Sequence, residues 1–329
     1  MRKEDIIKVI IAICIILICF SLLWLTGCNL PTTVSSSDSW KKYHIKYSII
    51  LSEYEGPTKV WMPIPTQWDT QKDIQLLNFS PESSDIFIES KGNHIVFWEN
   101  VLEYGIPTIF EEELELSILQ RQWQIEEGSI GNYDPSDPVL SKYLGSSEYI
   151  QTDNPLLQEA ANSVVGTETN PYIKAKQLFN FVVDHMIGFT EGINDALGAF
   201  NSQQGGCGGY SNLFIALCRA VGVPARPITG IAGIKEGSYY WANGDVHTHI
   251  WAEFYLPEYG WIPVDPTYAD EGNMSTFGID YEDRLILSKG ADIELGHGTS
   301  QIPWFHMPYV NGHQEEVDDL ILTVQIINN

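Results

Sequence analysis

Two apolar runs near residue 255 constrain the fold of this chain more than any other feature of its sequence. In the first run, 249–256, every even-numbered position is apolar, and in the second, 261–265, positions 262 and 264 are apolar. The four residues between the runs, Pro-Glu-Tyr-Gly, are typical of a hairpin turn. Paired antiparallel strands must present their apolar side chains on the same face of a sheet. That register places His249 and Asp265 together on the opposite face, with Cβ atoms about 5 to 8 Å apart.

A cysteine lies within a run of glycines, Gly205-Gly206-Cys207-Gly208-Gly209, where we predict that an amphipathic helix begins. The helix dipole and the free N–H groups of a first turn stabilise a thiolate at this position. The absence of neighbouring side chains would let an extended substrate lie against the backbone, so Gly206 and Gly208 are candidate groove residues. The alternative is a glycine-rich helix cap in which the cysteine is a small filler.

These three side chains are the components of a thiol nucleophile site. An imidazole takes or shares the thiol proton and later protonates a leaving amine. A carboxylate orients the imidazole and stabilises its charged form. The sequence therefore predicts a catalytic triad of Cys207, His249 and Asp265, although a surface histidine beside an acid would show the same spacing.

Other residues are weaker candidates for the same site. Gln203 and Gln204 precede the nucleophile and are candidates to bind an oxyanion together with the Cys207 backbone N–H. Three aromatic residues are candidates to line the substrate groove, or to pack or shield it: Tyr240, Trp241 and Trp251. His247 is an alternative base, and Arg226 is expected to form a structural ion pair.

The first 27 residues have the pattern of a secretory signal. Arg2, Lys3 and Lys8 are followed by an apolar run to about residue 25 and then by Thr26-Gly27-Cys28. An uncleaved membrane anchor is the alternative. The ending Leu-Thr-Gly-Cys resembles the lipobox of prokaryotic lipoproteins, which implies a lipid on Cys28 and an extracytoplasmic location. Residues 28–39 are polar and aperiodic, as in a tether.

The rest of the chain divides into two predicted bodies. Short alternating runs between turn residues predict a β-sandwich over 40–125, followed by a linker over 126–150. Helical patterns and then strands predict an α+β core over 151–300. Residues 301–329 are expected to contain a late strand.

Charge and cysteine usage exclude several functions. The 43 acidic and 18 basic residues give a net charge of -25, which repels nucleic-acid phosphates. Three of the five cysteines lie in the first 28 residues, so neither a disulfide framework nor a cysteine metal site is expected. The acids Asp280, Glu282 and Asp283 are interpreted as a solvated loop. No metal and no cofactor are predicted.

Four blocks of sequence resemble the core of the transglutaminase-like superfamily over about residues 160–295. They are Gly206-Cys207-Gly208-Gly209-Tyr210-Ser211, the segment Arg219–Arg226, His249-Ile250-Trp251-Ala252-Glu253 and the segment Gly260–Thr267. The resemblance implies a papain-like core and an acyl-transfer triad at the same cysteine, histidine and aspartate. Gly209 and Ser211 depart from the pattern of many relatives, which would widen the cleft, and no acidic cluster matches the calcium sites of animal transglutaminases.

The resemblance implies a cysteine enzyme that acts on peptide or glutamine carboxamide bonds of proteins or peptides at the cell surface. Hydrolysis is slightly favoured, because water needs no dedicated site and nothing in the sequence marks a lysine tunnel. Crosslinking of glutamine to lysine is the alternative. A non-catalytic surface lipoprotein that binds a partner or a polymer is the second alternative.

Overall fold

The computed structural model describes residues 39–240, 247–272, 276–314 and 320–327. These residues belong to one compact unit. The architecture is α+β, as predicted, with helices packed on an antiparallel sheet and a second, β-rich part. The predicted signal peptide, most of the tether and Cys28 lie outside the described residues. Among the described residues, no helix combines the length and the hydropathy that a membrane span requires.

The described residues of the central part of the chain form six α-helices. They are α1 (Pro138–Tyr143), α2 (Pro155–Val165), α3 (Pro171–His185), α4 (Ala196–Ser202), α5 (Cys207–Ala220) and α6 (Pro266–Asp270). The longer strands are β1 (Lys41–Leu51), β2 (Gly56–Ile64), β3 (Gln71–Ser80), β4 (Asp85–Ile88), β5 (His94–Leu102), β6 (Thr108–Ile118), β10 (Ala225–Ala232), β11 (Gly237–Tyr240), β12 (His247–Leu256), β13 (Gly260–Val264), β15 (Leu285–Lys289) and β20 (Leu320–Ile327). Two-residue strands complete the set: β7 (Arg121–Gln122), β8 (Gly188–Phe189), β9 (Gln204–Gly205), β14 (Ile279–Asp280), β16 (Ile293–Glu294), β17 (Gln301–Ile302), β18 (Tyr309–Val310) and β19 (His313–Gln314).

The six N-terminal strands β1 to β6 and four later strands form two five-stranded sheets, in the orders β11-β20-β1-β6-β3 and β19-β18-β2-β5-β4. Alternate residues of β1, beginning with Tyr43 and Ile45, are buried against residues of the other sheet such as Met62 and Trp98. Burying one face of each sheet against the other gives a sandwich.

Both sheets use strands from outside the predicted 40–125 range. The last strand, β20, pairs with β1, and β11 pairs with β20. In the second sheet β18 pairs with β2. A boundary at residue 125 therefore does not enclose the sandwich, because these closing strands lie after residue 236 in the sequence and local patterns carry no signal of their partners.

The second core is the antiparallel sheet β13-β12-β10-β15, with α5 packed on one face. The apolar even-numbered residues of β12 and β13, such as Ala252 and Val264, join the helical core with Leu213 and Leu217 of α5. The opposite face of the sheet carries the odd-numbered residues, including His249. The pattern of the hairpin therefore fixes which side chains enter the helical core and which lie on the other face of the sheet.

Candidate active site

His249 and Asp265 lie together on one face of the hairpin, as the parity of the sequence indicates. Ala252 pairs with Val264, so the histidine and the aspartate are one diagonal apart. The distance from His249 Nε2 to Asp265 Oδ2 is 2.7 Å, and both side chains are buried. Asp265 is also the N-cap of α6, because its Oδ1 accepts a hydrogen bond from the Tyr268 N–H at 3.2 Å. Two independent contacts therefore hold the carboxylate.

Cys207 is the first residue of α5 and is only partly buried. Its side chain interacts electrostatically with that of His249, which contributes to the raised pKa of the imidazole. The Nε2 atom of the imidazole is engaged by Asp265, which leaves Nδ1 as the ring nitrogen for the thiol. Sulfur, imidazole and carboxylate therefore converge in the order that a cysteine nucleophile requires.

The glycines around Cys207 allow a close approach of the loop before α4. A Cβ atom on Gly206 or Gly208 would lie 2.9 Å from the side-chain oxygen of Asn194, and one on Gly209 would lie 2.6 Å from the Ile193 carbonyl oxygen. The glycines therefore allow this loop to hold the first turn of α5. That Gly206 and Gly208 line a substrate groove stays a prediction.

The electrostatics of the pair favour an ion pair. Burial lowers the pKa of His249, but the charge and hydrogen bond of Asp265 and the interaction with Cys207 outweigh burial and raise the pKa to about 9. Burial raises the pKa of Asp265, but His249 and Arg284 hold it well below its ordinary range. At neutral pH the imidazole is therefore protonated and can act as a general acid toward a leaving amine.

Two residues of this site were not predicted from the sequence. The Arg284 Nη2 atom donates a hydrogen bond to Asp265 Oδ2 at 2.6 Å, and both side chains are about 1% exposed. Tyr268 stacks on His249 with ring centroids 4.6 Å apart. The sequence signal for Arg284 is a single basic residue directly before an apolar run, in a strongly acidic chain.

Asp280 corrects the interpretation of residues 280–283 as a solvated loop. Its side chain is buried, and Oδ2 accepts a hydrogen bond from the Thr70 hydroxyl at 2.5 Å. Burial raises the pKa of Asp280, although Arg284 opposes this shift. The residue belongs to the wall of a cavity of about 260 Å³ that Trp68 and Trp261 also line.

The oxyanion candidates lie just before Cys207. Gln203 adopts a left-handed conformation with φ 55°, and its amide donates a hydrogen bond to the His185 carbonyl at 3.3 Å. A role of Gln203 in binding an oxyanion stays a prediction. Gln204 is exposed and pairs with Gly188 between β9 and β8, so its role stays a prediction.

The aromatic groove candidates have different positions. Trp251 is completely buried, and its ring stacks beside His249 with centroids 5.9 Å apart, so it supports the imidazole and does not line an open groove. Tyr240 pairs with Ile321 at the edge of a sandwich sheet. Trp241 lies outside the described residues.

The remaining candidates have structural partners. His247 is exposed and its Nε2 lies 2.9 Å from the Tyr268 hydroxyl. Two nitrogens of Arg226 donate hydrogen bonds to the same oxygen of Glu253, at 2.9 and 2.8 Å, in the structural ion pair that was expected. Among the residues that the structure describes, no group of His, Cys, Asp and Glu side chains is arranged to hold a metal ion.

Comparisons with known proteins give a family match for the segment that contains this site. Residues 158–266 match the family profile described as the Transglutaminase-like superfamily. An uncharacterized protein of Haemophilus influenzae is 25% identical over 303 residues, which cover 81% of this chain and 78% of that protein. A protein-glutamine gamma-glutamyltransferase of Pseudomonas aeruginosa is 35% identical over 80 residues, which cover 24% of this chain and 12% of that enzyme.

A solved structure shares the fold. The crystal structure of a provisionally assigned cysteine protease from Cytophaga hutchinsonii has a TM-score of 0.61 at 18% identity, and the alignment covers 89% of this chain and 93% of that one. Cys207, His249 and Asp265 all lie within the segment that matches the family profile. Residues 158–266 of this chain are therefore a domain of the transglutaminase-like superfamily.

Proposed function

We propose that this chain is an exported, lipid-anchored cysteine acyl-transfer enzyme that acts on peptide or glutamine carboxamide bonds. The observation that carries the proposal is the imidazole of His249, bound by Asp265 at 2.7 Å through one ring nitrogen and engaged with the Cys207 thiol. A buried imidazole beside a cysteine at a helix N-terminus is the arrangement that acyl transfer by cysteine requires.

The reaction follows from this arrangement in two steps. The Cys207 sulfur attacks the carbonyl carbon of the amide, and the developing oxyanion lies near the N–H groups at the start of α5. The protonated His249 gives its proton to the leaving nitrogen, the C–N bond breaks, and a thioester and an amine or ammonia remain. His249 then removes a proton from the acceptor, which attacks the thioester carbonyl; the C–S bond breaks, and the Cys207 sulfur and the protonated His249 of the starting state are restored.

The acceptor decides between the two enzymatic alternatives. With water the product is a carboxylic acid, and the protein is a peptidase or amidase. With a lysine amine the product is an isopeptide crosslink. We favour water slightly, because a small acceptor needs no binding channel. The 80-residue similarity to the Pseudomonas glutamyltransferase is the observation that favours the second acceptor.

Incubation with a glutamine-containing protein and a fluorescent primary amine separates these alternatives. Release of ammonia or of new termini without amine incorporation supports hydrolysis, and incorporation supports crosslinking. Either activity should disappear in Cys207→Ala and persist in Cys218→Ala. Cys218 is a matched control because it is buried in the same helix, where burial raises the pKa of its thiol.

The non-catalytic alternative, a surface lipoprotein that binds a partner or a polymer, makes a separate prediction. A working thiol–imidazole pair should react rapidly with iodoacetamide at pH 6, whereas an ordinary thiol is mostly protonated there. A Cys207 alkylation rate equal to that of a small free thiol at pH 6 would favour binding over catalysis.

We further propose that the chain is anchored to the extracytoplasmic face of a membrane by a lipid on Cys28, with surface proteins or peptides as substrates. The support is the Leu-Thr-Gly-Cys ending after the apolar run. Metabolic labelling with an alkyne fatty acid should label the wild-type protein and place it in the membrane fraction. Labelling that persists in Cys28→Ala would refute the lipid site.

A further inference from the structure

Arg284 contacts the proposed triad through Asp265. It directly precedes β15 and is among the largest fully buried side chains of the described residues. Its Nη2 atom donates to Asp265 Oδ2 at 2.6 Å, and the same oxygen lies 2.7 Å from His249 Nε2. Two cationic groups therefore share one carboxylate oxygen.

The hydrogen bonding of Arg284 differs from that of the other buried arginines. Arg226 donates from two nitrogens to Glu253, and Arg219 donates to the carbonyls of Ala225 and Gly145. The Nε and Nη1 atoms of Arg284 are buried and have no hydrogen-bond partner within the described parts of the chain. Burying a guanidinium is costly, so its contact with Asp265 is the interaction that compensates.

Aromatic rings surround the guanidinium and also the imidazole. The Arg284 guanidinium carbon lies 5.0 Å from the ring centroid of Trp251 and 5.2 Å from that of Tyr268. Both rings also stack on His249. The same two side chains thus hold the arginine and the histidine on either side of Asp265, where cation–π attraction favours the charged form of the arginine.

The turn that carries Arg284 is fastened to the sandwich. The Tyr43 hydroxyl of β1 donates to the Glu282 carbonyl at 3.1 Å, and Lys41 forms an ion pair with the Glu282 carboxylate. Thr70 binds Asp280 on the other side of the turn. The sandwich therefore determines where Arg284 lies.

We infer that Arg284 is a positioning residue of the proposed triad, whose positive charge holds Asp265 ionised and limits how tightly the His249–Asp265 pair retains its proton. The inference rests on the proposed function, because it assigns Arg284 a role through that triad. Without the arginine, the buried carboxylate would have one cation instead of two. The pair would then keep its proton to higher pH, whichever of the two groups carries it.

The surrounding titratable and charged groups come from several elements: Cys207, His247, Tyr268, Asp280, Tyr281, Asp283 and His306. Burial lowers the pKa of His306 to about 3 and lowers that of His247, so both are neutral above pH 7. Burial raises the pKa of both tyrosines above the ordinary value. Between about pH 7 and 10 these two histidines and two tyrosines therefore keep a constant charge while the pair titrates.

The test is the pH dependence of iodoacetamide alkylation of Cys207 in the full-length protein, with Cys218→Ala as the background. The rate should show an upper step where the His249–Asp265 pair loses its proton. In Arg284→Gln this step should move upward by about one pH unit or more. Arg284→Lys, which keeps the charge, should restore the step to within about 0.3 units of the wild type.

The outcomes separate the two proposals. The inference is overturned if Arg284→Gln folds and its upper step in the alkylation rate stays at the wild-type pH or moves to lower pH. An arginine that served only to pack the core would change the stability of the protein and leave this step where it is. If Arg284→Gln does not fold, Arg284→Lys carries the test, and a step displaced by about one unit or more would refute a role for charge. An upper step that shifts as expected in a protein without amidase or transferase activity supports the inference while refuting the proposed function. A wild-type protein without an upper step refutes both.

Discussion

Replacement of Gly209 by alanine should destabilise the protein. The new Cβ would lie 2.6 Å from the Ile193 carbonyl oxygen and 3.3 Å from the Ala199 Cβ, and the first of these atoms is backbone, which cannot rotate away. Overpacking of this kind costs about 1–3 kcal/mol, whereas alanine in place of glycine inside a helix contributes about 0.5–1 kcal/mol. The clash should prevail by about 1 kcal/mol or more, which lowers Tm by roughly 2–6 °C.

The assay combines thermal unfolding with alkylation of Cys207 at pH 6. Gly209 belongs to the same helical turn as Cys207, so a displacement of this turn by the new Cβ should also reduce the alkylation rate of Cys207. Gly145→Ala is the matched control, since a Cβ there meets open space and should leave both quantities unchanged. A Tm equal to or above that of the wild type in Gly209→Ala would refute the packing argument, and an altered KM alone would favour a role of Gly209 in the width of the cleft.

Three further predictions follow from the same structure. The pKa of His249 is raised from 6.5 to about 9, so its contribution to the free energy of unfolding is present below pH 6.5 and is lost as pH rises through 9. Urea titrations between pH 7 and 10 should therefore show a steeper fall of the free energy of unfolding in the wild type than in His249→Gln. Parallel pH dependences of the two proteins would contradict this. Glu112 is buried in the sandwich with neither carboxylate oxygen paired among the described residues, and burial raises its pKa. Its ionisation therefore destabilises the protein as pH rises, so Glu112→Gln should raise Tm at pH 8 but not at pH 4. An unchanged Tm of this variant at pH 8 would contradict the prediction. Asn170 caps α3 through the N–H groups of Tyr172 and Ile173, so Asn170→Ala should cost about 1 kcal/mol in urea unfolding, in contrast to a solvent-facing Asn162→Ala.

The local features of the site were predictable because short-range patterns determine them. The parity of the hairpin predicted that His249 and Asp265 share a face, and the structure has that register. A helix was predicted from Cys207 to residue 220 or 221, and the structure has a helix over Cys207–Ala220. Its apolar stripe and the glycine that follows it can both be recognised in the sequence. The spacing of the apolar residues and the residues that end a helix were sufficient to predict these elements.

Contacts between distant segments could not be predicted in this way. The packing of Asn194 on Gly206 and Gly208 joins two loops whose apposition only the folded core produces. The pairing of Arg284 with Asp265 depends on where β15 joins the sheet. The short helix Pro138–Tyr143 in the predicted linker was missed because six residues give too little periodicity, although its Asp-Pro start is a recognisable cap.

The pairing of the last strand with the first has a consequence for biogenesis. Ile49 of β1 lies opposite Leu320 of β20. During synthesis β1 therefore cannot complete this pairing until about 270 more residues have been added. Ladders between such distant segments form slowly. Until the C-terminal strand emerges, β1 presents an unpaired backbone edge, the kind of surface that favours pairing with other chains.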